Sequence, residues 1–286
     1  MVADAGFVAP RERTTWVNNE LIRRIGSALV LAPLAIITAY FGGWSFVVFW
    51  AIAAIGVLWE WTALVARAER RALLSTGIAV IVLAAALAGT ERYVGALGVL
   101  AIGILSSVAL APADRRVWAS GGVAYAGALC LSPILLRADP AFGLAATIFL
   151  FAVVWGTDIG AYFAGRLIGG PRLMPAVSPN KTWSGAIGGA VIAVAVGLLI
   201  ARYAGVQMLL GVGIIGLVLS VVSQAGDLFE SAMKRHFHVK DSGSLIPGHG
   251  GLMDRLDGFV VAVLTAAVLG VGRMGFEAAA TGVLVW

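Results

Sequence analysis

Apolar residues fill this chain in runs of about twenty, separated by short polar interruptions. Windows of about 19 residues, the length that crosses a bilayer core of about 30 Å, find runs near 25–43, 44–65, 72–90, 94–113, 117–136, 141–165, 182–204, 206–226 and 258–275. The pattern predicts an all-α fold, a polytopic membrane helix bundle of about nine transmembrane spans. Residues 1–24 read as a polar N-terminal segment, 25–136 as five N-terminal spans and 141–286 as a C-terminal transmembrane region. Arg273 and Glu277 cut the last run short, so the tail Ala278–Trp286 reads as an interfacial end. Two interruptions are long, 166–181 and 227–257. Short connections merely join helices, so function is expected in these two.

Composition agrees and narrows the choice. Of 286 residues, 60% are hydrophobic and only 12% charged, against about 25% charged in a soluble domain, which leaves too little polar side chain to coat a globule. The single cysteine, Cys130, sits inside an apolar run, which excludes a disulfide framework and a Cys-rich metal site. Net charge is +5, read here as basic loops held beside anionic lipid rather than as nucleic-acid binding. In the nine-span order, Arg92, Arg137, Arg202 and Arg273 fall on one side and the rest of the 20 Lys and Arg on the other. By the positive-inside rule the N-terminus and both long loops are cytoplasmic, the C-terminus is outside, and the protein belongs in the cell (inner or plasma) membrane. The first run is expected to stay as an anchor.

The polar residues of the second loop have helical spacing. Asp227, Ser231, Lys234 and His238 step by four, three and four, which places an acid, a hydroxyl and bases on one face, with Arg235 at its edge. Pro247-Gly248-His249-Gly250-Gly251 then breaks the helix and leaves backbone N–H groups open to phosphate oxygens. Asp254, Arg255 and Asp257 follow. Asp257 can be explained as a complement to the helix dipole. Asp254 and Asp227 together offer oxygen ligands of the kind Mg²⁺ takes alongside phosphate and water. His236 and His249 lack a ligand set at zinc spacing. The first loop contributes Ser178 and Lys181, and Asp158 lies within an apolar helix, where an acid normally faces a protein or aqueous cavity. Glu60, between Trp59 and Trp61, reads either as part of that polar cavity or as an interfacial anchor.

Ser231-x-Met233-Lys234-Arg235-x₄-Lys240-Asp241-x-Gly243-x₂-Ile246-Pro247-x-His249-Gly250-Gly251-x₂-Asp254-Arg255-x-Asp257 closely resembles the signature of the phosphatidate cytidylyltransferases, or CDP-diacylglycerol synthases. Asp158-x₂-Ala161-Tyr162-x₂-Gly165-Arg166 and Ser178-Pro179-x-Lys181-Thr182-Trp183-x-Gly185 are similar to that family too, although Ser184 stands where it often has Glu. The likeness runs from Phe151 onward; the first five spans match only in general character.

The resemblance implies CTP + phosphatidate → CDP-diacylglycerol + pyrophosphate, with Mg²⁺ required and CTP, phosphatidate and a second copy of the chain as partners. The residues themselves suggest that Asp227 and Asp254, with Asp257 as a further candidate, hold Mg²⁺ against the CTP phosphates. Lys234, Arg235 and Lys181 are expected on phosphate oxygens. Ser178, Ser231, Lys240, Asp241, His249, Gly250, Gly251 and Arg255 are expected to bind or orient substrate. The alternative in the same chemical class is a CTP-dependent polyprenol or phytol kinase. A transporter is disfavoured, because the ionisable residues gather at one side of the membrane.

Overall fold

The computed structural model describes residues 30–66, 68–243, 245 and 250–286. The N-terminal segment, the start of the first run and His249 lie outside the described residues. Eight helices are long and apolar enough to cross a membrane, as expected of a multi-pass membrane protein. They are α2 (Gly43–Val65), α3 (Arg70–Gly89), α4 (Tyr93–Leu110), α5 (Arg116–Ala138, entered by a 3₁₀ turn at Ala113–Arg115), α6 (Gly143–Leu167), α7 (Trp183–Tyr203), α8 (Leu209–His236) and α9 (Met253–Met274). The described part of the first run is a shorter helix, α1 (Val30–Phe41). It turns into α2 at Gly42 and Gly43, both at positive φ, while Arg137 donates to the terminal carbonyls of Ala39 and Tyr40. Arg137, counted above only as a loop charge, therefore also closes the end of α1.

Three boundaries differ from the hydropathy runs. Helix α8 continues ten residues past its apolar run, to His236. Nothing from Asp227 to His236 breaks a helix, Glu230 and Lys234 pair across one turn, and Lys234, Arg235 and His236 suit the negative end of the dipole. The helix stops with His238 at φ 55, its N–H bonded to Arg235 O and that of Val239 to Lys234 O, the double bond of a left-handed C-terminal cap. His238 therefore lies beyond the helix and off the face assigned to it. Helix α9 begins at Met253, because carboxylates described below accept its first N–H groups. The first loop is largely ordered structure: α6 reaches Leu167, and Arg172–Met174 (β1) pairs antiparallel with Ser178–Thr182 (β2). This hairpin is the exception to an all-α chain among the described residues.

One hydrophobic cluster joins residues from α1 through the short C-terminal helix α10 (Ala279–Leu284). Close backbone approach sets its geometry where glycines face one another. A Cβ at Gly226 on α8 would stand 2.7 Å from Asp257 O on α9, and one at Gly258 would stand 2.6 Å from Ser223 Oγ. These two glycines bring α8 and α9 together where both become polar. The tail is not interfacial: Ala279, Ala280 and Leu284 are fully buried. Asp139, buried between α5 and α6, accepts from the N–H of Thr281 (2.7 Å), Ala141 (2.9 Å) and Phe142 (3.2 Å).

Burial pushes the Asp139 carboxyl up, but the bonds from Thr281, Phe142 and Ala141 outweigh it and hold the group below the usual carboxylate range. A carboxylate lowered by folding stabilises fully above its unfolded value, near 3.9, and that contribution fades as the pH drops through the folded value. Asp139→Ala strands three N–H groups and should lower stability by about 2 kcal/mol at pH 7, with the deficit shrinking as the pH falls below the unfolded value. Thermal unfolding in detergent checks this; equal midpoints at pH 7 would contradict it.

Candidate active site

Helix α8 presents Asp227, Glu230, Ser231 and Lys234 at steps of three, one and three, so all four share one face. Across from it, α9 opens with Asp254, Arg255 and, one turn on, Asp257. Lys181 arrives on β2 and pairs with Asp227. Lys234 bridges the two helices, its ammonium 3.1 Å from Glu230 Oε2 and 2.5 Å from Asp254 Oδ1. The three side chains are 17%, 2% and 10% exposed, so the pairs are shielded from water and their mutual attraction is strong.

The second oxygen of Asp254 is engaged as well. Oδ2 accepts from Gly251 N–H (2.9 Å), Ser242 N–H (3.0 Å) and Ser242 Oγ–H (2.9 Å). A Cβ at Gly251 would stand 2.9 Å from that oxygen, so the second of the paired glycines Gly250 and Gly251 leaves room for a carboxylate. Gly250 needs glycine for another reason, its φ of 84. Asp257 Oδ1 accepts from Gly258 N–H (2.8 Å), and its carboxyl lies against that of Glu230. Glu230 Oε1 is buried with no hydrogen-bond donor. Two carboxyls in contact need a proton or a cation between them.

Asp158 opens onto the same cluster, within electrostatic reach of Asp227, Lys181 and Arg255. The inner set thus holds Asp158, Asp227, Glu230, Asp254 and Asp257 against Lys181 and Lys234, with Arg255 at its exposed edge. Fully ionised it is acidic and would repel a phosphate ester. An excess of carboxylate together with a donorless buried oxygen fits a divalent cation. Among the described residues no group of three or more His, Cys, Asp or Glu is arranged to hold a metal by itself.

Other expected residues stand at the rim. Ser178 is half-buried at the start of β2, opposite Met174. Arg235, Lys240, Asp241 and Arg255 are exposed. Glu60 is not an interfacial anchor; it is 2% exposed and reaches the start of α9. Glu230 and Ser242 were missed by sequence reading. Glu230 was accessible in principle, as the residue one turn before Lys234; nothing in the pattern singled out Ser242.

The family model described as the cytidylyltransferase family matches residues 22–271. This chain belongs to the cytidylyltransferase family. The match takes in the N-terminal helices, so the kinship is broader than the C-terminal half on which the resemblance rested. Among relatives, the protein named phosphatidate cytidylyltransferase of Brucella suis biovar 1 is 44% identical over 255 residues, 88% of this chain and 94% of the relative. One of the same name from Brucella abortus biovar 1 has the same identity and coverage. That of Staphylococcus saprophyticus is 48% identical over 119 residues, 41% of this chain and 46% of the relative. The cytidylyltransferase is therefore a nucleotide-using enzyme, and Lys181, Lys234, Asp227 and Asp254 meet at one end of its bundle.

In Mg²⁺-free buffer, Glu230→Gln should raise stability by about 1 kcal/mol, because its amide can donate to the Asp257 carboxyl where two carboxyls now meet. It should also diminish any thermal shift on adding Mg²⁺. A lower melting midpoint with an undiminished Mg²⁺ shift would contradict this assignment.

Proposed function

We propose that this cytidylyltransferase converts CTP and phosphatidate into CDP-diacylglycerol and pyrophosphate. The reading rests on one observation, the 44% identity to a protein named phosphatidate cytidylyltransferase across 88% of the chain, with the whole 231–257 signature present. A phosphate oxygen of the lipid forms a bond to the α-phosphorus of CTP, the bond to the β-phosphate bridge breaks, and pyrophosphate leaves. Both reactants are polyanions, so the task of the chain is to neutralise and align them.

Lys181 and Lys234 are the neutralising groups nearest the acids, with Arg235, Lys240 and Arg255 at the rim to receive phosphate oxygens as substrates enter. Asp227 and Asp254 each hold a lysine in this structure. They would hold Mg²⁺ when those lysines turn to phosphate, with Asp257 and the donorless oxygen of Glu230 beside them. Bound Mg²⁺ supplies charge neutralisation and alignment for in-line displacement. No covalent nucleophile is required.

The lysine and arginine bias supports a cytoplasmic active site in the cell membrane. The 28-residue α8 is about 42 Å long at 1.5 Å per residue, longer than a bilayer core of about 30 Å, so its charged end reaches the surface where both a lipid headgroup and a soluble nucleotide can meet it. The homodimer implied by the resemblance belongs to the same reading.

The position of a radiolabel tests the reaction. Purified protein with phosphatidate and Mg²⁺ should move label into lipid from α-³²P CTP and not from γ-³²P CTP, releasing pyrophosphate. Label carried only from the γ position, to a polyprenol or phytol acceptor, would replace this reading by the kinase one.

A further inference from the structure

Glu60 lies on α2, far in sequence from the catalytic signature, yet it is among the most deeply buried side chains of the protein. Its carboxylate reaches α9. Leu252 N–H donates to Oε1 (2.9 Å) and Met253 N–H to Oε2 (2.8 Å), two N–H groups at the start of a helix whose N-cap residue, Leu252, supplies no side-chain cap. The positive end of α9 and these two donors compensate a buried negative charge. Ser242 Oγ, 2.9 Å from Asp254 Oδ2, also stands 3.3 Å from Glu60 Oε2. One hydroxyl thus links the α2 carboxylate to the carboxylate that holds Lys234.

The surrounding glycines are shaped by this contact. A Cβ at Gly243 would lie 2.6 Å from Glu60 Oε1, one at Gly251 would lie 2.7 Å from Oε2, and one at Gly56, a turn before Glu60, would lie 2.7 Å from the Leu252 side chain. Room has been left on both sides, so the approach of α2 to Gly243, Gly251 and Leu252 is built in.

We propose that Glu60 is a positioning residue of the active site. It pins the end of the α8–α9 connection at Leu252 and Met253, so that Asp254, and through it Lys234, stand where the substrates need them. This deepens the cytidylyl-transfer reading and rests on it. It also gives α2, in the N-terminal half, a share in catalysis without contact with substrate. A shift of about 1 Å at reacting groups can cost on the order of 100-fold in rate, and such misplacement reduces turnover more than substrate capture.

The test uses the full-length protein in detergent with Glu60→Gln, Glu60→Asp, Ser242→Ala and the Glu60→Gln/Ser242→Ala double variant. Glu60→Gln puts an amide N–H₂ against a backbone donor. It should lower kcat by about 10- to 100-fold while KM for CTP and phosphatidate stays within about threefold. Amide exchange in peptides covering 250–256 should quicken at least about tenfold. Glu60→Asp, which keeps the charge, should recover part of kcat, and the double variant should lose little more than Glu60→Gln alone. Wild-type kcat and wild-type exchange in Glu60→Gln overturn the proposal, as does a loss of turnover that merely follows the folded fraction. If Glu60→Gln does not fold, Ser242→Ala decides: slower turnover with faster exchange supports the link, and neither overturns it. Should the wild type transfer no cytidylyl group, the functional reading fails, while the exchange comparison still judges whether Glu60 pins the connection.

Discussion

The ammonium of Lys234, held between Glu230 and Asp254, is the interaction around which the polar end of the bundle is arranged. Buried carboxylates are costly unless paired and hydrogen-bonded, and here several must stand together at the edge of an apolar bundle. Lys234 meets two of them at once and ties α8 to α9. That link requires α8 to extend beyond its apolar run, and α9 to begin early enough to bring Asp254 opposite the lysine. It also requires Ser242 and Gly251 to stand beside Asp254, where both donate to its far oxygen.

Backbone spacing makes the pairing possible. Gly226 and Gly258 let α8 and α9 approach at the depth where the charged residues begin. Lower down the helices carry ordinary apolar packing: Leu219 on α8 and Val263 on α9 are fully buried. The acidic excess that remains includes a buried oxygen on Glu230 with no donor. A cytidylyltransferase must bring two polyanions together, and a cluster in which lysines and carboxylates can exchange partners suits that demand.

The bundle was legible because a membrane span imprints its length on the sequence: eight of the expected runs correspond to long apolar helices. Boundaries were less legible where polar chemistry continued a helix, as from Asp227 to His236, since hydropathy detects membrane rather than helix. Lys181, Lys234, Asp227 and Asp254 were visible from spacing and resemblance, and the structure places them in two adjoining ion pairs. Glu60 could be noticed as an acid in an apolar run, but its partner lies 192 residues away, and no local pattern encodes that distance. The buried tail escaped for the same reason, because the burial of α10 depends on Asp139 and on the close face of α9 at Gly270.

If the Lys234–Asp254 link is the element that makes this site, the two residues act as one unit. A double-mutant cycle on kcat/KM for cytidylyl transfer, with Lys234→Met, Asp254→Asn and the pair, measures that most directly. The account predicts that each single change costs about 10²–10³, and that the double variant falls little below the worse single one. Losses that multiply in the double variant, or wild-type turnover in either single variant, would contradict it.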